Sequence, residues 1–91
     1  MNEKFKNIKM DEETVSIFRQ ETKIRSYDAV IECWITPDVL GFSAIFCKED
    51  IEHLNDKEII AMVEKKCSAN DVNISRVNEN YVFANYGFKI I

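Results

Sequence analysis

Three β-rich runs in this chain are apolar on both of their faces, while a single segment carries the periodicity of a helix. In Ala29–Ile35 (AVIECWI) one parity gives Ile31, Cys33 and Ile35 and the other gives Val30 and Trp34. In Val39–Cys47 (VLGFSAIFC) Phe42, Ala44 and Phe46 alternate with Ile45 and Cys47. In Tyr81–Ile90 (YVFANYGFKI) Val82 and Ala84 alternate with Tyr81 and Phe83. Successive strand residues point to opposite sides of a sheet, so such runs ask for cover on both sides.

The helical segment is predicted at Asp56–Ser68. Asn55 is a capping residue, and Glu58 three positions later completes a capping box. Leu54 and Ile59 occupy the two positions of a hydrophobic staple. Ile59, Met62, Val63 and Cys67 fall on one face, Lys65 and Lys66 suit the dipole of the last turn, and Asn70 is the expected terminator. Thr36-Pro37-Asp38 has turn chemistry and makes a hairpin of the first two runs. Val72–Val77 alternates and is expected to be a further strand, with a turn at Asn78-Glu79-Asn80 before the last run. Gly87 is read as a bulge. Thr14–Gln20 is either a preceding strand or, capped by Asp11-Glu12-Glu13, a short helix. The expected fold is one α+β domain over residues 1–91. It is a mainly antiparallel sheet of four or five strands with one helix on one face, in the order β-β-β-α-β-β.

A helix of that length is about 20 Å long and about 10–12 Å wide with its side chains. Five strands at about 4.8 Å make a sheet roughly 20 Å across. One helix therefore leaves the second face bare, and either the N-terminal segment or another chain is expected to cover it.

Charge and cysteine usage limit the partners. Sixteen acidic residues against twelve basic ones give a net charge of −4. Nucleic-acid binders draw most of their affinity from cations that release counterions, and anionic membranes select cations too, so neither is an expected direct partner. No apolar stretch approaches the length of a membrane span. The three cysteines, Cys33, Cys47 and Cys67, are dispersed and lie in apolar surroundings, the pattern of a reducing compartment. A cytoplasmic location is expected.

The residue set offers little chemistry. His53 is the single histidine; its plain reading is a solvated loop residue before the helix. A Cys–His pair would need a low-pKa, accessible thiol. A zinc site has no closely spaced ligand pair here, and two isolated glycines, Gly41 and Gly87, cannot build a phosphate loop. No catalytic residue, metal or cofactor is expected.

Two features remain for binding. One is the acidic segment Glu49, Asp50, Glu52, Asp56 and Glu58, able to meet a basic protein patch or to compete with DNA for a nucleic-acid-binding protein. The other is the second sheet face holding Val30, Trp34, Tyr81 and Phe83, on which Trp and Tyr are of the kind favoured as interface anchors. The function expected is a non-enzymatic interaction domain, an inhibitor or adaptor of a macromolecular partner, of the sort that phage and mobile elements encode. A self-associating assembly subunit, dimeric through the sheet with Trp34 near the interface, is the alternative; a small Cys/His enzyme is the third.

Overall fold

The computed structural model of the chain describes residues 6–8 and 22–90. Strands β1 (Lys6–Ile8), β2 (Thr22–Ile24), β3 (Tyr27–Ile35) and β4 (Val39–Cys47) come first. A single helical turn, α1 (Lys48–Ile51), and the main helix, α2 (Asp56–Cys67), follow. Strands β5 (Asn73–Ser75) and β6 (Tyr81–Ile90) close the order. This is the α+β class expected, a sheet antiparallel except for β1. The Thr14–Gln20 segment and the Asp11-Glu12-Glu13 group lie outside the described residues. No helix among the described residues is long and apolar enough to cross a membrane.

The sheet runs β1-β6-β4-β3-β2, with β5 also on the outer side of β6. Its backbone is the β4–β6 pair, in unbroken register from Val39↔Lys89 to Cys47↔Tyr81. Gly87 stands directly opposite Gly41 in that register, so it marks no bulge. Its partner Gly41 reflects crowding: the Trp34 indole lies over Gly41, where a Cβ would meet Cε2 at 2.0 Å. Trp34 is the β3 neighbour of Gly41. The ring thus lies on a glycine of the next strand, a cross-strand arrangement in which an aromatic side chain covers otherwise bare backbone.

Local chemistry sets the turns. At the β3–β4 hairpin Thr36 N–H donates to the Val39 carbonyl at 2.9 Å. Val39 N–H donates in turn to Thr36 Oγ1 at 3.0 Å. The β2–β3 turn gives no such signal in the sequence: Arg25 takes φ 60°, a left-handed conformation that a non-glycine residue adopts at some cost. At Asn78-Glu79-Asn80, Asn80 N–H donates to Asn78 Oδ1 at 2.8 Å, the expected turn.

Helix α2 starts as expected. Glu58 N–H donates to Asn55 Oδ1 at 2.8 Å, and Asn55 N–H donates to Glu58 Oε1 at 3.1 Å. It stops earlier than expected, because Ser68 rather than Asn70 takes the left-handed C-terminal position (φ 52°, ψ 39°). The strand expected over Val72–Val77 shrinks to three residues, since Arg76 leaves the sheet to pair with Asp56 of α2 and Val77 is left 86% exposed.

The core lies between α2 and one sheet face. Leu40, Phe42, Ala44 and Phe46 of β4 and Val82, Ala84, Tyr86 and Phe88 of β6 are buried against Ile51, Ile59, Met62 and Val63. Phe42, Tyr86 and Phe88 form a three-ring cluster with centroids 5.4–5.8 Å apart. Such aromatic pairs add about 0.5–1.5 kcal/mol each beyond the area they bury. Phe42→Ala should therefore cost about 3–5 kcal/mol in a chemical denaturation curve; a loss under about 1 kcal/mol would contradict this packing. Gly41→Ala should cost about 1–3 kcal/mol, as overpacking does, and shift Trp34 emission to the red by pushing the indole into water. An unchanged emission spectrum would show that the ring does not lie on Gly41.

Candidate functional site

The face away from α2 is built by the other parity of the same strands. The strand registers align three rows across it. Val30, Ile45 and Phe83 form an apolar row. Two residues along, Glu32, Ser43 and Asn85 form a polar row, in which Ser43 Oγ donates to Asn85 Oδ1 at 2.5 Å. Two residues further, Trp34, Gly41 and Gly87 form the row in which the indole covers glycine backbone. Val30 (44%), Trp34 (43%) and Tyr81 (42%) are exposed, and Ile45 and Phe83 are half-buried. The apolar surplus expected for this sheet is therefore real, and three of its large side chains stand open to solvent on one face.

The acidic segment does not act as a unit. Glu58 is turned back into the capping box, and Asp56 is held by the Arg76 guanidinium, whose hydrogen bond keeps its carboxyl below the ordinary range. Asp50 is exposed on α1. Glu49 and Glu52 behave differently: with Glu79 they border a recess that also contains Cys47 and Tyr81, and in which Lys48 offsets one of the three carboxylates. Cys47 and Tyr81 are register partners at the end of the open face. The structure thus places Tyr81 with Glu49 and Glu52 at one recess, Phe83 two residues along the same face and Trp34 beyond the polar row, and it sets Asp56 and Glu58 apart at the start of α2. Parity in the sequence put Ile45 on the second face without marking it for binding, and the hairpin register places it beside Val30; Glu79, which the sequence marks only as a turn residue, reaches the acidic rim through the turn before β6.

The chemistry-bearing residues are scattered. His53 is more than a solvated loop residue: its Nε2 shares a 2.7 Å hydrogen bond with the Tyr27 hydroxyl. Cys47 is exposed, while Cys33 and Cys67 are half-buried, and all three are free thiols. Burial pushes the Cys67 thiol up despite its hydrogen bond with Tyr86, and burial likewise pushes the Tyr86 hydroxyl far up. Neither shift suits a nucleophile. Among the described residues no group of three His, Cys, Asp or Glu side chains could hold a metal ion. A groove of about 550 Å³ lies between α2 and the β2–β3 turn, floored by Ile24 and Met62 and flanked by Arg25, Lys65 and Lys66. Comparison of the chain with protein-family models, with curated proteins and with solved structures finds no match.

Cys67 and Tyr86 set a pH dependence. Both remain protonated in the fold at a pH where the unfolded chain ionises them, so above the ordinary thiol value of 9.0 the unfolded state binds fewer protons. Stability should then fall as pH rises through the range in which the unfolded chain ionises these groups. Urea midpoints across pH 7 to 11 check this. Tyr86→Phe should flatten the fall above pH 10, and a flat wild-type profile would contradict the burial of both groups.

Proposed function

We propose that this chain is a non-enzymatic interaction domain that docks its open sheet face on a protein partner and modulates it, as an inhibitor or adaptor, in the cytoplasm. The observation that carries the reading is the adjacency of an apolar, aromatic face to an acidic rim: Tyr81, Phe83, Ile45 and Val30 beside Glu49, Glu52 and Glu79, with Trp34 farther along the same face. Exposed aromatic anchors supply the desolvated centre of an interface, and charges at its margin steer encounter and select the partner. The matching surface is an apolar patch flanked by Lys and Arg. Proteins that bind nucleic acid carry such cationic surfaces, which makes them the favoured class of partner.

Partner capture on immobilised chain tests this, with Tyr81→Ala and the pair Glu49→Lys, Glu52→Lys as comparison baits. Tyr81→Ala should weaken binding by about 2 kcal/mol, roughly 30-fold. The charge variant should remove the salt dependence that wild type shows as ionic strength rises from about 0.01 M to about 0.15 M, where the Debye length falls from about 30 Å to about 8 Å. A partner retained equally by all three baits would place the binding surface elsewhere.

A further inference from the structure

The two edges of the sheet are finished differently. The outer side of β6 is occupied by short strands, β5 along Phe83–Asn85 and β1 along Phe88–Ile90. The outer side of β3 has a described strand partner only along Tyr27–Ala29, where β2 pairs. Residues 30–35 of β3 continue past it as a regular strand bonded to β4. Natural sheets blunt such an edge with proline, lysine or a bulge. The stretch Val30-Ile31-Glu32-Cys33-Trp34-Ile35 contains neither residue, and its register with β4 is unbroken.

The two hairpins fix which backbone groups face outward. Ile24↔Tyr27 closes a two-residue turn, so Tyr27 is hydrogen-bonded toward β2, and its odd-numbered successors point the same way. At the far end Thr36 N–H bonds to Val39, so even-numbered residues point toward β4. Both ends give one phase: Ile31, Cys33 and Ile35 turn their N–H and C=O groups out from the sheet.

We infer that this edge pairs with the same edge of a second copy of the chain, antiparallel, with Cys33 on the two-fold axis. In this register Cys33 faces the partner's Cys33, and Ile31 and Ile35 face the partner's Ile35 and Ile31, each pair exchanging both backbone bonds. On the open face Glu32 comes opposite the partner's Trp34 rather than the partner's Glu32. The neighbouring registers are poorer. Centring on Glu32 sets two carboxylates directly opposite each other. Centring on Ile31 drives Cys33 against the partner's Ala29, whose outward groups are taken by β2. Centring on Trp34 brings Ile31 against the partner's Pro37, which has no N–H to give. The chain's own sequence therefore selects one self-complementary register. The pairing keeps both α2 helices on one side and joins the two open faces into a single wider surface. It uses the edge, not the face, so the docking proposed above can fail while this stands, and the reverse.

Sedimentation equilibrium from about 1 to about 100 µM, the range in which a micromolar Kd shows, combined with thiol cross-linking, tests it. In a Cys47→Ser, Cys67→Ser background a short bis-maleimide should link Cys33 to the partner's Cys33 in high yield. Ile35→Lys, at a side chain already 52% exposed, should leave the circular dichroism intact and raise the dimer Kd by about tenfold or more, a change of about 1.4 kcal/mol. On the unsubstituted chain, amide exchange at Ile31, Cys33 and Ile35 should slow as concentration rises. A monomer throughout that range would overturn the inference. So would a dimer indifferent to Ile35→Lys, or slow exchange at those amides in a monomer, which would assign the edge to residues 9–21 of the same chain.

Discussion

The in-register pairing of β4 with β6 is the constraint on which the rest depends. Nine consecutive residue pairs, from Val39↔Lys89 to Cys47↔Tyr81, make these two strands one rigid ribbon. Its inner parity carries Phe42, Phe46, Tyr86 and Phe88, the bulk of what α2 covers. Its outer parity carries Ile45, Phe83 and the Gly41–Gly87 pair, the middle of the open face. A slip of one residue would exchange the two sets and expose the core, so the hydrophobic pattern and the register enforce each other. The aromatic cluster under α2 and the indole on Gly41 are opposite faces of one pairing decision.

The same ribbon explains why the molecule has unused surface. One helix spends its apolar stripe on one face, with Ile59, Met62 and Val63 fully committed there. Nothing in α2 can reach the other face. That face then shows a division of labour: a polar row, Glu32–Ser43–Asn85, separates the apolar row from the Trp34–glycine row. The acidic rim is attached at one end by the Cys47↔Tyr81 pair and the turn of α1. Charge and apolar area meet at Tyr81, the residue where steering and desolvation would act together.

How much of this the sequence disclosed follows from the range of the interactions. The start of α2 was legible because a capping box is local: Asn55 and Glu58 are three residues apart. Strands β4 and β6 were legible to the residue, bounded by Thr36-Pro37-Asp38 and Asn78-Glu79-Asn80. The open face was legible from parity alone. Strand β2 was not, because it has three residues and turns through Arg25 at φ 60° without glycine. Helix α1 was hidden in a run read as polar loop, although its Ile51 is 1% exposed. The acidic segment was over-read: the helix start uses Glu58, and Asp56 is claimed by Arg76, twenty residues on, a pairing no local pattern encodes. Likewise Gly87 suggested a bulge, whereas it pairs in register with Gly41, a position that the indole of Trp34 on the neighbouring strand keeps free of a side chain.

The docking surface proposed for a partner is the open β3–β4–β6 face and not the surface around α2. Site-specific photocross-linking tests it most directly, with p-benzoylphenylalanine placed in turn at Tyr81 on the open face and at Ala61 on the exposed side of α2. The account predicts a discrete cross-linked adduct from position 81 and none from position 61. An adduct from position 61 with none from position 81 would contradict it.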